Sequence, residues 1–356
     1  MKILFLAPYP PNKAPSQRFR FEFFLKALKT EKINFDFQTF LSETGWKHSY
    51  IQGAVIWKIW ALISGYIRRV ICLFKIHQYD LVFIHRELTP FGPPIFEWII
   101  AKVFNKKIIY DFDDAIWMAD PNGESGLWKT LKWRSKVAAI CKWSWKVSAG
   151  NQYLADYALQ YCDHVIIFPT VVNTAIHKPS LSGLNASKRK LIIGWTGSHS
   201  TLVYLDPLIP TLQKLALTYD FDFLVIANKN PELAVKGFYF LPWKEETEIE
   251  DLSQMDIGIM PLADNEWSKG KCGFKLIQYG ALGIPSVTSP VGVNTDIIQD
   301  GENGYLASTD EEWVEKLSLL IKSEDLRKQL GKAGRKTVEK HYSVEANKEK
   351  WLSLFR

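Results

Sequence analysis

Little in this 356-residue sequence points to covalent or metal staples. Its four cysteines (Cys72, Cys141, Cys162 and Cys272) lie far apart, with no C-x-x-C and no Cys/His cluster. That spacing argues against a disulfide framework or a structural zinc site, and for a reducing compartment. Long apolar runs are also missing. The longest, residues 54–67, is interrupted by Lys58 and falls short of the roughly 18 residues a membrane span needs. The opening MKILFLAPYPP offers too short an apolar run before Pro8 for a signal peptide. Neither sign of charge dominates: 44 Lys and Arg against 38 Asp and Glu leave +6, too little for a nucleic-acid binder. The excess suits a basic patch facing anionic lipid or a phosphorylated ligand. Repeats and low-complexity segments are absent.

What is present is an ordinary globular composition with an excess of tryptophan. Apolar residues at 47% and charged residues at 23% exclude wholesale disorder, whereas 14 Trp ask for a reason. The length exceeds what one core usually serves, so two domains are expected. Short β-branched runs at 3–7, 33–37, 81–84, 107–110 and 165–168 predict buried strands. Helical spacing appears at 18–29, 54–75, 94–104 and 127–148. A stretch rich in Pro, Ser, Gly and Asn at 169–189 reads as a linker. Strands are then predicted at 191–195, 223–226, 238–241, 257–260, 286–288 and 304–306. Helices are predicted at 201–217, 245–254, 274–282 and 311–321, and a charged helical stretch at 325–355 breaks near Tyr342–Ser343. Such alternation implies parallel sheets covered on both faces: an α/β protein of two doubly wound, Rossmann-like domains, with ligands beyond the carboxyl ends of the strands. The expected boundaries are 1–170, 171–338, and a C-terminal helix 339–356 packing back on the first domain.

Residues 267–285, WSKGKCGFKLIQYGALGIP, set Lys269, Lys271 and Lys275 and two glycines around the start of a predicted helix. A helix N-terminus offers unpaired N–H groups and partial positive charge, to which the lysines add full charge, so a diphosphate is the natural guest. Gln278 shares a helix face with Lys275 and is placed to bond a sugar hydroxyl one turn deeper. The blander alternative is a solvated basic loop before an ordinary core helix. IGWTGSHSTLVYL at 193–205 is a second strand–glycine–helix turn, in which Gly194 and Gly197 permit close backbone approach and Thr196, Ser198 and Ser200 bring hydroxyls. It is neither a Walker A nor a strict GxGxxG, and His199 reads as a surface residue. After the first strand, APYPPNKAPSQRFRFEFF stiffens at Pro10–Pro11, offers Ser16 as a cap and carries Arg18 and Arg20, suited to phosphate oxygens. Arg18 is the preferred residue, and Arg20 is expected to point to solvent at least as readily as to a ligand.

KCGFKLIQYGALGIPSVTSPVG, followed by DGENGYLA, resembles the donor-binding signature of GT-B glycosyltransferases, specifically the large retaining family numbered four. The resemblance implies a GT-B fold of two Rossmann-like domains facing a cleft. It also implies transfer of a sugar from a nucleoside diphosphate to an acceptor hydroxyl with retention. The family helix commonly carries two Glu, the second contacting the donor ribose; Gln278 takes that second position, and the first falls near Gly270 without a carboxylate. The donor would be held by Gly197, Ser198, Lys269, Lys271, Lys275 and Gln278.

In YDFDDAIW (110–117) two readings compete. Asp111 and Asp113 could form the D-x-D that holds a metal and diphosphate in GT-A enzymes. Alternatively Asp113 takes the position where many GT-B relatives carry a cleft His, with Asp114 as the acid after it. The second is preferred, because a GT-A site would leave the Lys/Gln helix unexplained. Asp113 and Arg18 are then expected at the reaction centre, and Ser16, His85, Arg86, Asp114 and Asn151 near the acceptor, with Asn151 equally readable as a helix N-cap. No cofactor or metal is expected beyond the nucleotide sugar.

Residues 127–146, LWKTLKWRSKVAAICKWSWK, interleave four Trp with six Lys and Arg and no acid. Residues 54–75 add Trp57, Trp60, Tyr66, Arg68, Arg69 and Lys75. Trp favours the headgroup zone, and each basic residue near anionic lipid contributes about 1 kcal/mol. The expected setting is therefore cytoplasmic and peripheral, on the inner face of the cytoplasmic membrane, with a lipid-linked or saccharide acceptor in cell-envelope or extracellular polysaccharide or glycolipid synthesis. Two alternatives stand beside it: a non-catalytic assembly subunit that binds nucleotide sugar, and a GT-B-fold nucleotide-sugar 2-epimerase.

Overall fold

The computed structural model describes residues 1–49, 51, 53–119, 130–179 and 189–356. These form two compact units, Met1–Thr170 with Lys348–Arg356, and Val171–Asn347. The second unit therefore runs on to Asn347, past the expected boundary at 338, and the tail assigned to the first unit is shorter than the expected 339–356.

In the first unit β1 (Lys2–Ala7), β2 (Asn34–Thr39), β3 (Leu81–His85), β4 (Lys107–Phe112), β5 (Lys146–Ala149) and β6 (Val165–Ile167) form one parallel sheet in the order β2-β1-β3-β4-β5-β6. β1 and β3 are almost wholly apolar because both of their faces are covered, as a central parallel strand demands. Phe5 lies 5.0 Å from Phe83 between ring centroids, and Trp351 from the tail stacks on Phe24 at 5.1 Å. β5 falls inside a stretch predicted as one helix over 127–148. Residues 120–129 lie outside the described residues; beyond them the helix spans only Lys136–Trp143, and Ser144 turns extended at ψ 144°. A four-residue strand is too short for its period to outvote the helical spacing before it. The predicted helix 18–29 is likewise broken, into Pro15–Arg18, a 3₁₀ turn Glu22–Phe24 and Leu25–Thr30. Phe19, Phe21 and Phe24 are all buried, a spacing that one helix face cannot provide.

In the second unit β7 (Leu191–Gly197), β8 (Phe221–Ala227), β9 (Phe238–Pro242), β10 (Ile257–Met260), β11 (Ser286–Thr288) and β12 (Tyr305–Leu306) run parallel in the order β12-β11-β10-β7-β8-β9. The predicted helix 201–217 starts late, at Ile209, after 3₁₀ turns at His199–Tyr204 and Asp206–Leu208. Pro207 and Pro210 remove two of the N–H groups that a continuous helix would need. The segment read as a linker is partly built into this unit. Val172 bridges to Ser343, Arg335 donates to the carbonyl of His177, and residues 180–188 lie outside the described residues.

Both sheets reverse direction once. The chain goes β1 to β2 on one side and returns for β3 on the other; it goes β7, β8, β9 and returns for β10. Each unit therefore has a switch point, between β1 and β3 and between β7 and β10. There the loops leaving adjacent strand ends diverge and open a crevice for ligands.

Candidate donor and acceptor sites at the two switch points

At the first switch point, the loop after β1 folds back on the segment that follows it. The Gln17 side chain is completely buried: its Oε1 accepts from Tyr9 N at 2.7 Å, and its Nε2 donates to Tyr9 O at 2.9 Å and to Glu22 Oε1 at 3.1 Å. Pro10 and Pro11 thus sit in a loop clamped at both ends. The loop after β3, HRELTPFG, is gripped from three sides. Lys136 Nζ donates to Thr89 O at 2.7 Å and pairs with Glu87 at 2.6 Å; Glu97 Oε1 accepts from Leu88 N at 3.2 Å; Arg69 Nε donates to Leu88 O at 3.0 Å. Burial raises the pKa of Glu97 and lowers that of Arg69 to about 10. Arg86 adopts a left-handed backbone at φ 59°, and its guanidinium pairs with Asp113 at 2.8 Å.

His85, at the start of this loop, belongs to a buried polar network. Arg20 pairs with Asp111 and donates to Ser148 Oγ and to the carbonyl of Phe168. Ser148 Oγ donates to Asp111 Oδ1 at 2.7 Å, and His85 Nδ1 lies 2.8 Å from Asp111 Oδ2. Arg20, His85, Asp111 and Ser148 are each at most 1% exposed. Burial alone would raise the pKa of Asp111, but Arg20 and His85 outweigh it and hold the carboxyl well below the usual carboxylate range. Arg20 therefore does not point to solvent; it is the buried half of an ion pair. Asp111, with both oxygens engaged, leaves only Asp113 of the D-x-D pair near the surface. Among the described residues no three His, Cys, Asp or Glu are grouped to hold a metal.

The remaining residues of the first unit divide between site and scaffold. Asn151 is the N-cap of Gln152–Leu159, its Oδ1 accepting from Leu154 N at 2.9 Å. Asp114 Oδ1 accepts from Ala115 N at 3.2 Å. Ser16 is half-buried, and Arg18, 9% exposed, lies 4.5 Å from the centre of the Phe19 ring. His85, Arg86 and Asp113 gather at the carboxyl ends of β3 and β4, and Asn151 follows β5 next to them.

At the second switch point the two sequence motifs come together. Gly197 ends β7 where a Cβ would meet Trp195 at 2.4 Å, so only glycine lets the backbone pass this close to that indole. Ser198 opens the 3₁₀ turn, its Oγ 2.9 Å from Ser200 Oγ, and His199 N donates to Asn228 Oδ1 at 2.7 Å. After β10, Gly273 at φ 64° starts the helix Phe274–Ala281, where a Cβ would strike Ile297 at 2.2 Å. Tyr279 Oη from this helix accepts from Thr196 N at 3.2 Å, and Tyr204 Oη accepts from Ser268 Oγ at 3.4 Å, joining the two loops. Lys275 Nζ lies 5.3 Å from the centre of Trp195, and Lys271 Nζ 4.8 Å from Trp267. Lys269 leans away onto Glu266, at 2.8 Å.

Gln278 is 2% exposed, and its Nε2 donates to Glu248 Oε1 at 3.2 Å. Trp243 Nε1 donates to the same oxygen at 3.2 Å. Glu248 is thus a buried carboxylate beside the helix, 30 residues away from its partner, and it was missed because no local motif surrounds it. Gln17 was missed for the same reason, since only the folded loop reveals its clamp. Asn294 is a third: fully buried, it donates to Thr288 Oγ1 and Ser289 O near Gly273.

Comparison with known proteins bears on the family and the fold. Residues 232–337, which contain the helix Phe274–Ala281, match the family model described as glycosyl transferases group 1. Over its full length the chain superposes on sucrose-phosphate synthase from Thermosynechococcus elongatus, covering 98% of that chain with a TM-score of 0.74 at 13% identity. This is the GT-B fold. A second GT-B structure, Anabaena Alr3699/HepE in complex with UDP-glucose, covers 100% of this chain and 99% of its own at a TM-score of 0.68 and 14% identity. Among curated proteins, spore coat protein SA of Bacillus subtilis (strain 168) is 32% identical over 78 residues, 21% of either chain. The chain thus matches about a fifth of that relative's length. The likeness in fold extends over the whole GT-B architecture, whereas the likeness in sequence is concentrated around the second switch point.

Proposed function

We propose that the protein is a retaining glycosyltransferase that moves a sugar from a nucleoside diphosphate to an acceptor hydroxyl. One observation carries the reading: at the switch point of the second unit the Gly197 turn meets Lys271, Lys275 and the N-terminus of Phe274–Ala281, and the last three lie inside the segment matched by the glycosyl transferases group 1 model. Backbone N–H groups and lysines fixed there meet the chemical demand of the reaction, which is to stabilise negative charge as it gathers on the departing diphosphate. Ser198 lies exposed at the head of the turn and supplies a hydroxyl to the phosphates. The first unit is assigned the acceptor, with Arg18 and the Arg86–Asp113 pair as its polar groups. No metal step is invoked, since Asp111 is consumed by Arg20, His85 and Ser148. Activity is expected to survive EDTA.

The UDP-glucose bound in the Anabaena structure supports a nucleotide-sugar donor and makes UDP-glucose the first compound to try. Synthesis of a cell-envelope or extracellular polysaccharide or glycolipid, at the cytoplasmic face of the membrane, is the setting proposed. A thermal-shift panel of nucleotide sugars tests the donor: a ligand at 100 times its Kd adds about 2.7 kcal/mol of stability. NMR of the anomeric configuration of the product then tests retention. Failure of every nucleoside diphosphate sugar to shift the melting temperature would refute the donor assignment. A binding-only role has one observation in its favour, the engagement of Gln278 with Glu248 where relatives carry a ribose-binding Glu. A shift with UDP-sugars but no hydrolysis or transfer would select that role, and interconversion of sugars would select an epimerase.

A further inference from the structure

The helix Val55–Lys75 is built inside out. Its inward face is small or polar: Ala61, Gly65, Arg69 and Cys72 are buried, and a Cβ on Gly65 would come within 2.5 Å of the Phe40 ring. Arg69, read from sequence as a basic surface residue, is 1% exposed and donates to Ala7 O at 2.9 Å and to Leu88 O. The outward face is apolar for five turns. Ile56, Trp60, Ile63, Ile67, Val70 and Phe74 recur at three- and four-residue intervals and are 45–81% exposed. Ile95 and Trp98, on the adjoining helix Ile95–Trp98, extend the patch and are 55% and 47% exposed. A soluble surface rarely leaves so continuous an apolar stripe uncovered.

The charges beside the stripe identify what covers it. Arg68, half-buried, and Lys75, exposed, lie on one flank of the stripe, Lys58 lies exposed on the line of Ala61 and Gly65, and the helix has no acidic residue. Trp57 and Trp60 cluster at one end, as indoles do in the headgroup zone. No described helix is long and apolar enough to cross a membrane, and this one, about 30 Å long, carries Arg69 at its inner face. We infer that Val55–Lys75 lies in the plane of an anionic bilayer, with its apolar stripe among the acyl chains and Arg68 and Lys75 at the lipid phosphates. The second aromatic-basic segment does not contribute equally. Its helix Lys136–Trp143 buries Lys136, Val137, Ile140 and Cys141, and Trp145 is sandwiched between Lys107 and Lys146. The inference deepens the membrane setting proposed above and rests on that part only, so its test uses neither donor nor acceptor.

The full chain is sedimented with phosphatidylcholine vesicles, with and without phosphatidylglycerol. The wild type is expected to bind the anionic vesicles, less so at high ionic strength. Ile63→Glu with Val70→Glu is expected to lower the partition coefficient about tenfold or more with the melting temperature unchanged. Leu217→Glu, at a still more exposed leucine of the second unit, should leave binding intact. If the double variant fails to fold, Arg68→Glu with Lys75→Glu replaces it and should abolish the preference for anionic vesicles. Three results would overturn the inference: no binding by the wild type, equal loss with Leu217→Glu, or a lipid-free dimer that Ile63→Glu with Val70→Glu dissolves, which would make a second copy the occupant. Nucleotide-sugar binding that persists in the vesicle-defective variant would show that the two readings stand or fall separately.

Discussion

The two switch points occupy the same topological position but are furnished differently. In the first unit cations face carboxylates: Arg20 meets Asp111, Arg86 meets Asp113 and Lys136 meets Glu87. In the second, Lys271 and Lys275 lie over indole rings beside a helix N-terminus. Carboxylates neutralise the first set and fix it as a frame, whereas the two lysines of the second are also placed against aromatic faces. A shared fold thus supports a carboxylate-braced frame at one switch point and a lysine-bearing helix start at the other.

The largest effect that could break this comparison lies in the frame. Asp111→Asn strands Arg20 in the core and should cost about 3–5 kcal/mol in urea unfolding; a loss below about 1 kcal/mol would mean that the network is not structural. The pH dependence has a definite sign. The Asp111 pKa is depressed in the fold, so its contribution is present above about pH 4, the unfolded carboxylate value, and is lost as pH falls toward the folded one. Next comes Lys275→Ala, expected to weaken donor binding by about 1.5–3 kcal/mol in calorimetry while the unfolding midpoint hardly moves. An unchanged affinity would remove that lysine from the site. Gln278→Glu would set a second buried carboxylate beside Glu248. The variant should be about 1–3 kcal/mol less stable at neutral pH and recover on acidification, because one member of such a pair titrates high. Equal stability at both pH values would place the two side chains apart. Smallest is Ile63→Glu, expected to change stability in lipid-free buffer by no more than about 0.5 kcal/mol, which calibrates the other three.

The fold was legible where burial writes itself into composition. β1, β3 and β10 are almost continuous apolar runs, and the helix Phe274–Ala281 has a glycine before it. β5 was not, because Lys146–Ala149 is short and follows a helix of similar composition. At the sites, the residue types of the second switch point announced themselves through Gly and Lys around a helix start. The first switch point misled over Arg20, since a guanidinium in a loop sequence reads as surface until Asp111, 91 residues on, is brought beside it. Glu248 escaped in the same way. Partners that meet only through the sheet leave no spacing to read.

The tail of the chain has a further consequence for how the protein is made. Trp351 is wholly buried, stacked on Phe24, and Phe355 lies 6.1 Å from Phe5 between ring centroids. The core of the first unit is thus closed by aromatic rings from residues that follow the second unit in sequence. During translation this unit must wait, with part of its apolar interior uncovered, until the whole of the other unit has been synthesised. Its maturation is a late, non-local event that chaperones have cause to attend.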